Sequence, residues 1–137
     1  FHPGGNLGKK LYLRVRDLYV NNEKPAIAPG APLKEIIMAI SGSRLGVTAV
    51  TDAGNTVLGV ITDGDLRRML EKDQDLKAVT AAAIMTLHPK TVGPDLMAIQ
   101  ALEVLRKHDI TQLVVAEADN QYLGILHLHD LIKEGLI

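Results

Sequence analysis

The sequence predicts an α+β protein made of two copies of one β-α-β-β-α module, packed on each other about a pseudo-two-fold axis. Three observations predict it. Leu58-Gly59-Val60-Ile61-Thr62-Asp63-Gly64-Asp65-Leu66 recurs 65 residues later as Leu123-Gly124-Ile125-Leu126-His127-Leu128-His129-Asp130-Leu131. At the same offset Pro29 meets Pro94, Val50 meets Val115, Ala53 meets Ala118, Asn55 meets Asn120 and Ile27 meets Val92. Self-similarity at a fixed offset marks a repeated structural unit. Second, apolar residues follow i, i+3, i+4, i+7 spacing in both halves, at Leu33, Ile36, Ile37 and Ile40 and again at Ala98, Ala101, Leu102 and Leu105. That spacing is one face of a helix. Third, a half of about 60 residues is marginal as an independent domain, so the two sheets are expected to share a core.

The elements follow in order. Phe1 to Lys10, with Gly4-Gly5 and Gly8, reads as an arm without regular structure. Leu11 to Tyr19 suits a short helix. The first module spans 15–77 and the second 80–137, with the polar stretch Lys72 to Lys77 as connector. Each module opens on an extended piece, Pro25 to Ala28 or Lys90 to Gly93, before its long helix. A β-rich run comes next, Gly46 to Val50 or Gln112 to Val115. It ends on a turn, Asp52-Ala53-Gly54-Asn55 or Glu117-Ala118-Asp119-Asn120. Asn, Asp and Gly form turns because they accept left-handed backbone or bond to their own chain. The returning strand, Val57 to Thr62 or Tyr122 to His127, makes a hairpin. A short helix closes each copy, Asp63 to Glu71 or Leu128 to Glu134.

Composition removes several function classes. Net charge is −1, so nothing points to nucleic acid or an anionic membrane surface. No apolar run approaches the roughly 20 residues of a membrane span. The opening Phe1-His2-Pro3-Gly4-Gly5 carries no basic region and no apolar stretch, so no signal peptide is read there. Zero cysteines exclude disulfides, thiolate zinc sites and thiol catalysis. A cytoplasmic location is expected. The start on Phe without Met leads to the expectation of a piece cut from a longer protein.

The element order, with hydrophobic-hydrophobic-Gly-hydrophobic-hydrophobic-Thr-x-x-Asp at the last strand-helix corner, resembles the CBS domain, over roughly residues 15 to 137. CBS domains occur in tandem, and the resemblance implies a regulatory module that binds adenosine nucleotides or related ligands in clefts between its repeats. The arm adds a second resemblance. His2-Pro3-Gly4-Gly5-x-Leu7-Gly8-x-x-Leu11 is similar to the last segment of the sugar isomerase (SIS) domain in the arabinose-5-phosphate isomerase family, in which an SIS domain precedes a CBS pair. That family interconverts ribulose 5-phosphate and arabinose 5-phosphate on the way to the Kdo sugar of lipopolysaccharide and capsule. The resemblance implies that residues 1–11 end an SIS domain, that the catalytic domain is otherwise missing, and that His2 is a remnant of the parent's active-site region.

The candidate residues lie at the two corners. Thr62 and Asp65 suit a phosphate and a ribose diol, since a hydroxyl and helix N–H groups hold phosphate and a carboxylate accepts from paired hydroxyls. Thr-x-x-Asp is also close to a capping box, and the two roles are compatible. At the second corner Asp130 pairs with His127, not Thr, so no capping box is expected there and the Thr-x-x-Asp motif is broken. His127 and His129 sit two apart, which suits neither one helical face nor a zinc spacing; no metal is expected. Protonated below about pH 6.5, His127 would make anion binding there pH-dependent. The resemblance places the base pocket at Ile27-Ala28-Pro29 and Thr91-Val92-Gly93-Pro94, which otherwise read as core strands entering helices. Arg67 and Arg68 can reach a phosphate with a planar fork, or form an ordinary solvated helix face. Arg44, Arg106 and Lys107 complement helix C-termini.

Two readings follow. One is a non-catalytic sensor of a nucleotide or nucleotide sugar that biases its own SIS domain, with no cofactor required. The other is a structural CBS pair with empty clefts that holds subunits together. No base and nucleophile pair or metal-ligand set supports catalysis by this chain itself. A homodimer is expected, with Ile36, Ile37, Leu102 and Leu105 covering either the sheets or a partner, and the isolated arm is expected to be poorly ordered.

Overall fold

The computed structural model describes Gly8 and Lys10 to Ile137. His2 and most of the arm lie outside the described residues; Gly8 and Lys10, expected without regular structure, are helical. The chain runs α1 (Val15–Tyr19), β1 (Ala26–Ile27), α2 (Leu33–Ser43), β2 (Val47–Thr51), β3 (Val57–Thr62) and α3 (Asp63–Leu70). A single helical turn (Leu76–Ala78) leads to α4 (Ala81–Ile84), β4 (Thr86–Leu87) and β5 (Thr91–Val92). The second copy continues with α5 (Ala98–His108), β6 (Gln112–Ala116), β7 (Tyr122–His127) and α6 (Leu128–Lys133).

Two sheets result, one in the order β1-β2-β3-β4 and one β5-β6-β7. In each, the short opening strand lies parallel to the middle strand and the hairpin is antiparallel, with a bulge at Val50/Thr51 and at Val115/Ala116. Each hairpin is apolar on both faces. The outer face packs on its own long helix: Ile36 and Ile40 of α2 meet Val50 and Ile61, while Leu102 and Leu105 of α5 meet Val115 and Leu126. The inner faces pack against each other, Val47, Ala49, Val57 and Val60 opposite Val114, Ala116, Tyr122 and Ile125. A sheet buried on both sides needs the near-continuous apolar runs that β2, β3, β6 and β7 carry. Of the four residues expected to cover sheets or a partner, Ile36, Leu102 and Leu105 face the cores, and Ile37 stays 45% exposed.

Four reciprocal hydrogen bonds lie on the pseudo-axis. Val57 N–H donates to Asn120 O and Tyr122 N–H to Asn55 O, both at 3.0 Å. Asn55 Nδ2 donates to Tyr122 O at 2.9 Å and Asn120 Nδ2 to Val57 O at 2.8 Å. Both asparagines have positive φ, 65° and 68°, a region Asn tolerates better than other residues with a side chain.

The copies also exchange their leading segments. Val15 and Leu18 of α1 pack in the second copy's core, and Ala81 of α4 in the first copy's. Val15 N–H donates to Leu96 O and Arg16 N–H to Pro94 O; Ala81 N–H donates to Ala31 O and Ala82 N–H to Pro29 O, all between 2.8 and 2.9 Å. The exchange explains the motif glycine. A Cβ on Gly59 would stand 2.7 Å from Thr86 O and 3.0 Å from Met85 Sδ, and one on Gly124 2.8 Å from the Tyr19 ring. Sequence reading did not foresee α4 and β4: a two-residue strand shows no alternation, and its pairing with β3 is purely tertiary. Among the described residues no helix is long and apolar enough to cross a membrane.

Candidate functional site

The first corner is a closed hydrogen-bonded knot. Thr62 caps α3, its Oγ1 accepting from Asp65 N–H at 3.1 Å, while Thr62 N–H donates to Asp65 Oδ2 at 2.9 Å. Thr62 Oγ1–H donates to the same oxygen at 3.1 Å. Thr86 of β4 brings its hydroxyl to 3.2 Å from Oδ1 and 3.3 Å from Oδ2. The Arg68 guanidinium donates to Oδ1 at 2.7 Å. The Asp65 side chain is only 9% exposed, that of Arg68 66%. The capping box read from Thr-x-x-Asp is therefore present, and the carboxylate is occupied by the protein's own donors.

The second corner has the same backbone and different chemistry. Asp130 Oδ2 accepts from His127 N–H and from Asn22 Nδ2, both at 2.8 Å. His127 Nδ1 accepts from His129 N–H at 3.0 Å. A cap was not expected here; an imidazole nitrogen takes the place of the hydroxyl. The two rings stack with centroids 5.1 Å apart, so they do not converge on a common ligand point. Among the described residues no group of three metal-ligating side chains comes together. Burial pushes the His127 pKa down, neighbouring His129 adds to this, and Asp130 opposes it. The positive charge expected on His127 thus arrives at lower pH than for a free imidazole.

Each corner opens on a cleft. The first, about 350 Å³, lies between the sheets. Its walls are aliphatic, including Val47, Val60, Leu113 and Ile125, and Arg68, His88 and Lys90 also line it beside Thr62 and Asp65. The second, about 440 Å³, is lined by polar groups: Asn21, Asn22 and Glu23 face Arg44, Lys133 and the His127-Asp130 corner. A larger cavity of about 650 Å³ lies beyond Arg68, along the charged connector Glu71 to Asp75. Size does not make it the better candidate: of the three, the first cleft pairs a largely aliphatic wall with Thr62, Asp65, Arg68 and Lys90, and small-molecule sites are mostly apolar with a few placed polar groups.

The structure brings Thr62 and Asp65 together at the first cleft and His127 and Asp130 at the second. Ile27 and Val92, implied as base-pocket walls, are 5% and 8% exposed and pack in the two module cores, outside both clefts. Arg67 points to solvent, and it is Arg68 that lines the cleft. Thr86, His88, Lys90 and Asn22 were not singled out from sequence. The first three come from β4 and the loop after it, whose place beside β3 has no local signal. Arg68 did have one, because three residues after Asp65 is one helix face and two residues after is not. Tyr122 plugs the core between the sheets. Its hydroxyl donates to Pro25 O at 2.7 Å, and burial pushes its phenol pKa up.

Comparison with known proteins agrees with this architecture. The CBS domain family model matches twice, at residues 15–72 and 81–136. Arabinose 5-phosphate isomerase KdsD of Pseudomonas aeruginosa is 39% identical over 137 residues, 99% of this chain and 42% of that protein. KdsD of Yersinia pestis is 38% identical with the same coverage. The chain spans about two fifths of the length of these curated relatives. Two solved structures share the fold. The CBS domain of a bacterial CNNM/CorC family Mg2+ transporter in complex with ATP has a TM-score of 0.76 at 24% identity, covering 96% of this chain and 93% of that one. A CBS domain protein from Pyrobaculum aerophilum complexed with AMP has a TM-score of 0.76 at 22% identity, covering 91% and 100%. With its two matched repeats, exchanged leading segments and paired corners, this chain belongs to the CBS domain family as a tandem pair.

Proposed function

We propose that this CBS pair is the ligand-sensing part of a sugar-phosphate isomerase of the arabinose-5-phosphate type. It binds a nucleotide or nucleotide sugar in the first cleft and so biases a catalytic domain of the SIS kind. The observation that carries the reading is the first cleft itself. Its aliphatic walls suit a base, the Thr62-Asp65 corner suits a ribose, and Arg68 and Lys90 supply positive charge for a phosphate, with His88 beside them. The isomerase assignment is supported by the KdsD relatives, and the nucleotide class by fold neighbours described with AMP and ATP. Binding to the sensor and occupancy of the catalytic site must then be linked reciprocally. The proposed assembly is a homodimer through the CBS pairs, with Ile37 and Met38 among the exposed apolar residues available to it. The test is calorimetric titration of AMP, ATP, CMP and a CMP-sugar against the chain, with isomerase assays of the full-length parent at saturating ligand. Binding with a change in isomerase rate is expected; no heat with any of the four overturns the sensor reading.

One observation favours a second reading, a structural CBS pair that only holds subunits together. Asp65 needs no ligand, since Thr62, Thr86 and Arg68 already satisfy it. In that case deleting residues 15–137 from the parent would alter its oligomeric state and leave no nucleotide effect to lose.

A further inference from the structure

We infer that Arg68 sets the selectivity of the first cleft, holding Asp65 shut against an unphosphorylated ligand and releasing it when a phosphate becomes its new partner. The inference rests on the nucleotide reading above and adds which residue decides among nucleoside-type ligands.

The argument begins with who can let go. A ribose diol that is to donate to Asp65 must displace a donor already there. Thr62 cannot leave without uncapping α3, because its N–H and hydroxyl both serve the cap. Thr86 is fixed by the backbone of β4, which pairs with β3 through Val60 and Gly59. Arg68 is the remaining donor. It is a long side chain, 66% exposed, holding only Oδ1. Its guanidinium is the exposed end of the pair and can turn into water or onto another acceptor without disturbing the cap or the strand, so it is the bond that breaks.

What Arg68 gains on breaking it depends on the ligand. Arg68 borders both the first cleft and the larger cavity beyond α3, so its head has room to turn. Its guanidinium lies over Gly64, where a Cβ would come within 3.3 Å of Nη1. A phosphate in the first cleft offers the fork two oxygens in place of one carboxylate oxygen. A nucleoside without phosphate offers nothing, and must bind against the closed form. Apparent affinity falls by the fraction of protein that is competent. The second corner lacks the device. Lys133 occupies the position of Arg68, 65 residues on, and among the described residues no ion pair joins it to Asp130.

The experiment titrates AMP and adenosine into wild type, Arg68→Ala and Arg68→Lys by calorimetry. Wild type is expected to prefer AMP. Arg68→Ala should weaken AMP about tenfold or more, the loss of a charge-assisted hydrogen bond. It should tighten adenosine a few-fold, because the donor that competes for Asp65 Oδ1 is gone. The two ligands move in opposite directions, which a scaffolding role cannot produce. Arg68→Lys keeps the charge without the fork and should fall between. Equal weakening of both ligands in Arg68→Ala, no change in either, or an Arg68→Lys indistinguishable from wild type overturns the role of Arg68 while leaving nucleotide binding intact. Wild type binding neither ligand overturns the nucleotide reading, and the selectivity built on it falls too.

Discussion

At the first corner Asp65 is held by Thr62, Thr86 and Arg68, in a cleft with aliphatic walls. At the second, Asp130 is held through one oxygen by His127 and Asn22, in a cleft lined by polar and charged groups. The backbone geometry is shared, since both corners cap a helix at the end of a hairpin strand. The difference shows that the repeat fixes where the carboxylate sits, while two or three neighbouring donors, one of them from elsewhere in the chain, fix what it is free to do. In both copies one of those neighbours, Thr86 or Asn22, arrives on the segment that follows the exchanged helix. The exchange therefore does more than join the repeats, because it completes each corner.

The most damaging way to break the comparison is to push that segment away. Gly59→Ala places a methyl 2.7 Å from a backbone oxygen of β4, which cannot move without unpairing the strand. Gly124→Ala meets a half-buried tyrosine ring that can turn, but its φ of 158° is a backbone that residues with a side chain rarely adopt. Overpacking costs about 1–3 kcal/mol, so Gly59→Ala is expected near the top of that range by urea unfolding, through the clash, and Gly124→Ala nearer its middle, through backbone strain more than through the clash. A Gly59→Ala cost at the bottom of the range would mean that β4 yields.

Removing the carboxylates sharpens the comparison next. Asp65→Ala strands a cap, a threonine hydroxyl and an arginine, and is expected to cost about 2 kcal/mol, from a lost cap and unmet donors. Asp130→Ala removes fewer bonds and should cost about 1 kcal/mol. Thermal unfolding at pH 7.5 checks the order; a larger loss for Asp130→Ala would show that the second corner carries more of the fold than its bonds suggest. At the pseudo-axis the copies should instead behave alike. Asn55→Ala and Asn120→Ala each lose one side-chain bond to a carbonyl across the axis and keep a positive φ that Ala resists. About 1–2 kcal/mol is expected for each, within about 0.5 kcal/mol of one another. Asn→Gly at either site should recover part of the loss, because glycine accepts that backbone.

The repeat made much of this legible. Two hairpins and two long helices follow from matched residues and helical spacing, because those elements depend on local pattern and on burial. The second hairpin strand of each copy, Val57–Thr62 and Tyr122–His127, has the bounds read from sequence. What stayed illegible is tertiary. The pairing of β4 with β3 delivers Thr86 to Asp65 across 21 residues. The swap of α1 and α4 between copies leaves no periodicity. Ile27 and Val92 look alike as cleft wall and as core, and burial alone separates those roles. At the second corner the histidine breaks the hydroxyl motif in sequence, yet its ring nitrogen does the capping that the hydroxyl does in the first copy.

That nitrogen yields the smallest and most specific effect. His127 Nδ1 can accept from His129 N–H only while it carries no proton. The fold lowers the His127 pKa, chiefly through burial and then through His129, with Asp130 opposing; Lys133, Arg44 and Glu23 also line the cleft. An unfolded chain takes up the proton near pH 6.5, before the folded one does. The cap's contribution is therefore complete above about pH 6.5 and is lost as the pH falls through the folded-state value. The loss is bounded by the worth of a cap, about 1 kcal/mol. His127→Thr restores the hydroxyl of the first copy, which caps without regard to pH in this range. The measurement is urea unfolding of both proteins at half-unit steps from pH 7.5 to 5. The difference between them should be flat above pH 6.5 and grow in favour of His127→Thr below it. A difference that stays constant across the range would mean that the imidazole nitrogen contributes nothing to holding α6.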